Sequence, residues 1–158
     1  MGEAAREILI EKADISHVHD IYEIGKVCFS DAWREETVLH DMEGPQSEYF
    51  IATVDGKVAG YGCFWFVLDE GQLVNIGVRP EFRRLGIGAL LLEAGLAECR
   101  KRGMKTLFLE VRTSNEKAQN LYKKYGFKVL GLRKGVYELP KEDRKSTRLN
   151  SSHLVISY

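Results

Sequence analysis

Proline and cysteine are scarce, three of each in 158 residues. Cys28, Cys63 and Cys99 lie far apart, are odd in number and form no C-x-x-C pair, which excludes a disulfide framework and a zinc cluster and fits a reducing cytoplasm. Net charge is absent too. Lys plus Arg total 23 and Asp plus Glu total 23, so no basic excess points to nucleic acid or an anionic membrane. The longest apolar stretch, around Tyr61 to Leu68, is too short to span a bilayer and reads as a buried strand. The opening MGEAAREILI lacks the basic start and apolar run of a signal peptide, and Arg6 spoils a myristoylation pattern, so neither export nor a membrane anchor is expected. There are no internal repeats, and no feature sets an oligomeric state. What is present is a 44% hydrophobic composition, enough for one domain with one sizeable core and too short for two ordinary ones.

The patterning predicts a mixed α/β chain. A short strand at Glu7 to Glu11 leads into an amphipathic helix within Asp14 to Phe29, with Val18, Ile21, Ile24 and Cys28 on one face and Asp14 or Ser16 as cap. Ser30 or Asp31 is placed to cap a second helix through Trp33, Val38 and Leu39, stopped by Gly44 and Pro45. Runs at Tyr49 to Val54 and Val58 to Leu68, joined by Asp55-Gly56, predict a hairpin. A loop at Asp69 to Gly71 precedes a strand from Leu73 to Val78, in which Gly77 signals a bulge or a close approach to the backbone. Gly86 to Arg102 is the clearest helix, with apolar Ile87, Leu90, Leu91, Ala94 and Leu96, and Gly103 at its end. Thr106 to Val111 is the next strand, expected parallel to the one before the helix. Thr113 and Glu116 have capping-box spacing for a helix to Tyr125, and Phe127 to Val136 resembles a last strand. His17 and His19, two apart on a helix, do not share a face, so no metal site is expected. Trp33 and Trp65 read as packing rather than cofactor contacts.

The densest chemical signal is the run from Val78 to Ala89: a strand end, a turn with two glycines, and the start of a strong helix. Glycine lets a ligand approach the backbone, and unpaired N–H groups at a helix N-terminus suit a phosphate, with Arg83 and Arg84 adding charge. In isolation such a turn could equally be a glycine-bearing cap among solvated arginines. Walker and dinucleotide patterns do not match.

Arg83-Arg84-Leu85-Gly86-Ile87-Gly88 resembles the R-x-x-G-x-G/A acetyl-CoA signature of the GNAT acetyltransferase superfamily, whose element order is also the one above. Cys28 to Trp33, Asn75 to Val78, Leu109 to Arg112 with Ser114-Asn115, and Leu121 to Phe127 resemble its RimI branch of ribosomal-protein-alanine N-acetyltransferases, over roughly residues 6 to 143. The resemblance implies the GNAT fold, a mixed sheet flanked by helices. It also implies acetyl-CoA as cosubstrate without a metal, and acetyl transfer to a protein N-terminal amine, that of a ribosomal protein. On its terms the backbone of Ile76, Gly77 and Val78 pairs with the pantetheine arm. The amides of Arg84, Leu85, Gly86, Ile87, Gly88 and Ala89, with Arg83 beside them, hold the pyrophosphate, and the Asn115 side chain binds further along. Glu110 becomes the general base, through water, Tyr122 the acid for the coenzyme A sulfur, and the Val78 N–H a donor to the thioester carbonyl. A different amine acceptor, or a non-catalytic acyl-CoA-binding module, are the alternatives; Glu110 and Tyr122 together speak against the second. Loops near Trp33, which would border the peptide entrance, and Tyr137 would set the acceptor.

Residues 144–158 break the pattern, a polar run resembling a conceptual translation of sequencing-library adapter, and are expected to be foreign to a domain of residues 1–143. Without Arg144, Lys145 and Arg148, 20 basic face 23 acidic side chains, a net charge of −3 that suits a basic peptide substrate. GNAT domains usually end in a strand inserted between the fifth and sixth, so an open sheet slot is expected, unless Leu154 to Tyr158 docks there.

Overall fold

Asp55 and Gly56 have φ of 50° and 85°, the pair of positive values a type I′ turn requires, and they join β2 (Ser47–Val54) to β3 (Lys57–Val67). The computed structural model describes residues 6–133 and 153–157, in two units divided between Lys105 and Thr106. In the first unit β1 (Ile8–Lys12) pairs antiparallel with β2, β2 with β3, and β3 with β4 (Glu70–Val78). The β3–β4 connection is tighter than expected. Val67 pairs with Glu70, so Leu68 and Asp69 alone make the turn, with Leu68 at φ 56° and 92% exposed.

Residues on β2 and β3 are buried on both sides because helices cover both faces. Tyr49, Ile51, Tyr61 and Cys63 form one core with Ile21 and Ile24 of α1 (Val18–Cys28) and Val38 of α2 (Glu35–Glu43). On the opposite face, α3 (Ile87–Arg102) lies against β3, where Phe64 packs edge-on to Phe50 and stacked with Phe66. A β-carbon on Gly95 of α3 would fall 2.1 Å from the Phe64 ring, so only glycine admits this packing. α3 ends in a left-handed Gly103, with the Met104 N–H returning to the Cys99 carbonyl. Near that end Glu98, Arg102, Glu48 and Lys12 close a ring of ion pairs at 2.8 to 3.5 Å, with Arg102 over the Phe66 ring.

Two helix starts differ from expectation. Asp14 caps as expected, its carboxylate accepting from the Ser16 N–H and its own N–H donating to His17 Nδ1, but it opens a short 3₁₀ turn ahead of α1. α2 begins at Glu35 with Arg34 as its uncapped N-terminus, so neither Ser30 nor Asp31 caps it. The aromatic residues decide this: Phe29 meets Tyr61 edge-on and Trp33 stacks on Trp65, which holds the preceding segment outside the helix.

The second unit contains β5 (Thr106–Arg112), α4 (Glu116–Lys124), β6 (Lys128–Arg133) and β7 (His153–Ser157). Asn115, not Thr113, caps α4, its side-chain oxygen accepting from the Ala118 N–H at 3.1 Å. β7 runs antiparallel to both β5 and β6 and lies between them, so no slot is left open. The extended backbone of residues 154–156 completes hydrogen-bond ladders on two sides there. Val136 and Tyr137 lie outside the described residues.

Candidate active site

Strand register determines which backbone groups of β4 face away from β3. The Arg79 N–H donates to the Ala59 carbonyl at 2.8 Å, and Tyr61 pairs with Gly77. In an antiparallel ladder hydrogen-bonded pairs alternate, so Gly77 directs its N–H and C=O to Tyr61, while those of Ile76 and Val78 point to the other edge. The Val78 carbonyl there accepts from the Cys28 thiol at 3.4 Å and from Arg83 Nε at 3.2 Å. Gly77 lies in no bulge; the register shifts in the ladders of β3 are at Ala52/Thr53 and Cys63/Phe64. Its missing β-carbon makes room for α1, since one there would meet Cys28 Sγ and Ile24 at 3.3 Å and Phe29 at 3.4 Å.

After β4 a 3₁₀ turn at Pro80–Phe82 leads to Arg84 at φ 67° and Gly86 at φ 79°. The first i to i−4 bond of α3 runs from the Leu90 N–H to the Gly86 carbonyl, which leaves the N–H groups of Ile87, Gly88 and Ala89 without a helical acceptor. No side chain caps this end, and a β-carbon on Gly86 or Gly88 would meet nothing within 4 Å. Several amides therefore border open space at the positive end of a 16-residue helix, a geometry suited to a diphosphate. Leu85 and Arg84 are exposed. Arg83 is turned back on the strand, with Nη2 3.8 Å from Cys28 Sγ. The structure thus brings Ile76 to Ala89 into one strand, turn and helix start.

Glu110, Asn115 and Tyr122 belong to the second unit. Glu110 lies in β5, half-buried, in register with Val155 of β7. Asn115 commits its side-chain oxygen to the α4 cap, so its NH₂ is the group left to offer a ligand. The ring of Tyr122, half-buried on α4, tilts against Phe127 at 5.6 Å, and burial pushes its hydroxyl up to about 12. It is therefore protonated at neutral pH.

Residues 18–127 match the acetyltransferase (GNAT) family. This chain belongs to that family. It is 39% identical over 116 residues to the [ribosomal protein bS18]-alanine N-acetyltransferase of Escherichia coli (strain K12), covering 73% of this chain and 78% of that one. A Bacillus subtilis (strain 168) protein that bears the same name provisionally is 38% identical over 141 residues, 89% of this chain and 90% of its own. The crystal structure of the ribosomal-protein-S18-alanine N-acetyltransferase from Escherichia coli superposes with a TM-score of 0.83 at 32% identity, over 96% of this chain and 92% of that one. The fold is the mixed α/β GNAT fold, and the protein is a RimI-like, acetyl-CoA-dependent N-acetyltransferase.

In this GNAT enzyme one polar cluster escaped sequence reasoning. Asp41 of α2 accepts hydrogen bonds from the Tyr49 hydroxyl at 2.5 Å, from Trp65 Nε1 at 3.1 Å and from the Cys63 thiol at 3.7 Å. Burial pushes the Tyr49 hydroxyl and the Cys63 thiol well up, so both remain donors. The signal was an acid three residues after Val38, on the stripe α2 buries. His19 is spent on Glu35 and Glu23 at the surface. Among the described residues no group of three or more His, Cys, Asp or Glu could hold a metal ion, and no helix is long and apolar enough to cross a membrane.

Proposed function

We propose that this enzyme acetylates the α-amine of a protein N-terminus in the cytoplasm, and that its acceptor is the N-terminal alanine of ribosomal protein bS18. The observation carrying this reading is the 39% identity, over 78% of its length, to the Escherichia coli enzyme named for that reaction. The backbone geometry supports the donor side. The outward groups of Ile76 and the outward N–H of Val78 can pair with the amide-bearing donor as an added strand would, and in this reading the Val78 N–H donates to the thioester carbonyl. The acceptor-free amides of Ile87, Gly88 and Ala89 beside the open space at Gly86 and Gly88 support a diphosphate held by the amides from Arg84 to Ala89, and in this reading the Asn115 NH₂ binds the donor further along.

Transfer forms a bond from the amine nitrogen to the acetyl carbon and breaks the bond from that carbon to sulfur. An α-amine has a pKa near 8, so much of it carries an extra proton at neutral pH and must lose it to attack. Glu110 takes that proton through water, contributing roughly 10²- to 10⁴-fold. Tyr122, holding its proton because of burial, supplies it to the departing sulfur.

Coenzyme A release from acetyl-CoA, measured with a panel of N-terminal peptides and small amines, tests this reading. Turnover dependent on an alanine-starting peptide supports it; turnover with small amines alone, or binding without turnover, contradicts it.

A further inference from the structure

The pyrophosphate turn carries two arginines, and charge on both is the simplest use for them. The side chain of Arg83 is oriented otherwise. Its Nε donates to the Val78 carbonyl at 3.2 Å and its Nη2 lies 3.8 Å from Cys28 Sγ, while the Cys28 thiol donates to the same carbonyl at 3.4 Å. The N–H of that same peptide unit, belonging to Arg79, is held by the Ala59 carbonyl at 2.8 Å. One peptide group, at the junction of β4 and the turn, is thus gripped from α1, from β3 and from the turn itself.

We propose that Arg83 is a positioning residue: through the Val78 carbonyl it sets the turn against the edge of β4, so that one extended acyl donor meets both at once. This rests on the donor-binding reading above. The strand edge and the turn amides each recognise a different half of that donor. A ligand spanning two half-sites gains affinity only when their separation is fixed beforehand. The contact needs a donor at Nε and not the guanidinium charge.

That distinction selects the variants. In Arg83→Gln the amide nitrogen stands the same number of bonds from the backbone as Nε, a neutral donor in the same place, whereas Arg83→Met keeps the length and removes the donor. Equilibrium binding of acetyl-CoA, and of ADP as a probe of the turn alone, is measured for the wild type and both variants, together with kcat and KM. The expected result is a roughly tenfold weaker acetyl-CoA affinity for Arg83→Met, within about threefold of wild type for Arg83→Gln, with ADP affinity falling much less than acetyl-CoA affinity and the donor KM rising more than kcat falls in Arg83→Met. A merely structural role would lower kcat and thermal stability along with affinity. Equal weakening of acetyl-CoA and ADP in both variants would assign Arg83 to the diphosphate as a charge and overturn the proposal, as would wild-type acetyl-CoA affinity in Arg83→Met. Wild-type protein that binds no acetyl-CoA would instead overturn the donor-binding reading itself.

Discussion

The Phe64 ring occupies the place that a side chain at Gly95 would take: a β-carbon there would lie 2.1 Å from two ring carbons. Phe64 is fully buried between Phe50 and Phe66, so it has no free volume into which to retreat. Replacing a helical glycine by alanine ordinarily gains up to about 1 kcal/mol. Overpacking costs about 1–3 kcal/mol, and here the contact is with a rigid ring, so the packing term wins. Gly95→Ala should lower the denaturation midpoint at unchanged m-value. A midpoint above wild type would show that α3 can move off β3.

Asp41 collects three donors, from Tyr49, Trp65 and Cys63. Asp41→Ala leaves a buried hydroxyl and an indole N–H without their acceptor, each worth about 1–3 kcal/mol. Stability should therefore fall by roughly 2–5 kcal/mol. Because Trp65 stacks on Trp33 at 6.2 Å, tryptophan fluorescence should change in the folded state as well. Unfolding and emission spectra of the variant check both, and wild-type stability would contradict the role given to the cluster.

The ion-pair ring at the end of α3 makes stability depend on acid. Burial by itself would raise the Glu98 carboxyl, but the Arg102 hydrogen bond and the charges of Lys12, Arg102 and Lys101 outweigh it and hold it below its ordinary 4.5. A depressed folded-state value means stability that is present above about pH 4.5 and is lost as pH falls through the lower folded value. Glu98→Gln should be less stable than wild type near pH 7 and converge with it at acid pH. Parallel stability curves for the two proteins from pH 7 to 3 would contradict this.

β7 is paired on both edges, Ile156 with Leu109 of β5 and with Val129 of β6. Proline at that position removes a backbone donor and fits poorly between two partners. Ile156→Pro should lower the melting temperature and, because Val155 is in register with Glu110, reduce turnover as well. An unchanged melting temperature would mean that this strand contributes nothing to the second unit.

Elements that rest on local chemistry were legible in the sequence. The Asp55-Gly56 hairpin, the long α3 between Gly86 and Gly103, and the glycine-bearing turn all follow from backbone preferences at a few positions. Features decided by distant contacts were not. The start of α2 depends on Phe29 and Trp33 reaching Tyr61 and Trp65, and the purpose of Gly77 appears only once Cys28, Ile24 and Phe29 are seen to need the space. The Asn115 cap displaced an equally good local pattern beginning at Thr113. The orientation of Arg83 toward Val78 has no counterpart in the spacing of the signature, because spacing orders residues and does not aim side chains.

The proposed roles of Glu110 and Tyr122 in acetyl transfer to a peptide α-amine are tested most directly by following acetylation of a peptide with the bS18 N-terminal sequence. Mass spectrometry of the product is compared with that from the same peptide blocked at its α-amine, for wild type, Glu110→Gln and Tyr122→Phe, with acetyl-CoA binding measured alongside. The expected result is one acetyl group on the free α-amine, none on the blocked peptide, and rates down roughly 10²-fold or more in Glu110→Gln with acetyl-CoA binding retained. Acetylation of the blocked peptide, or full activity in Glu110→Gln, would contradict it.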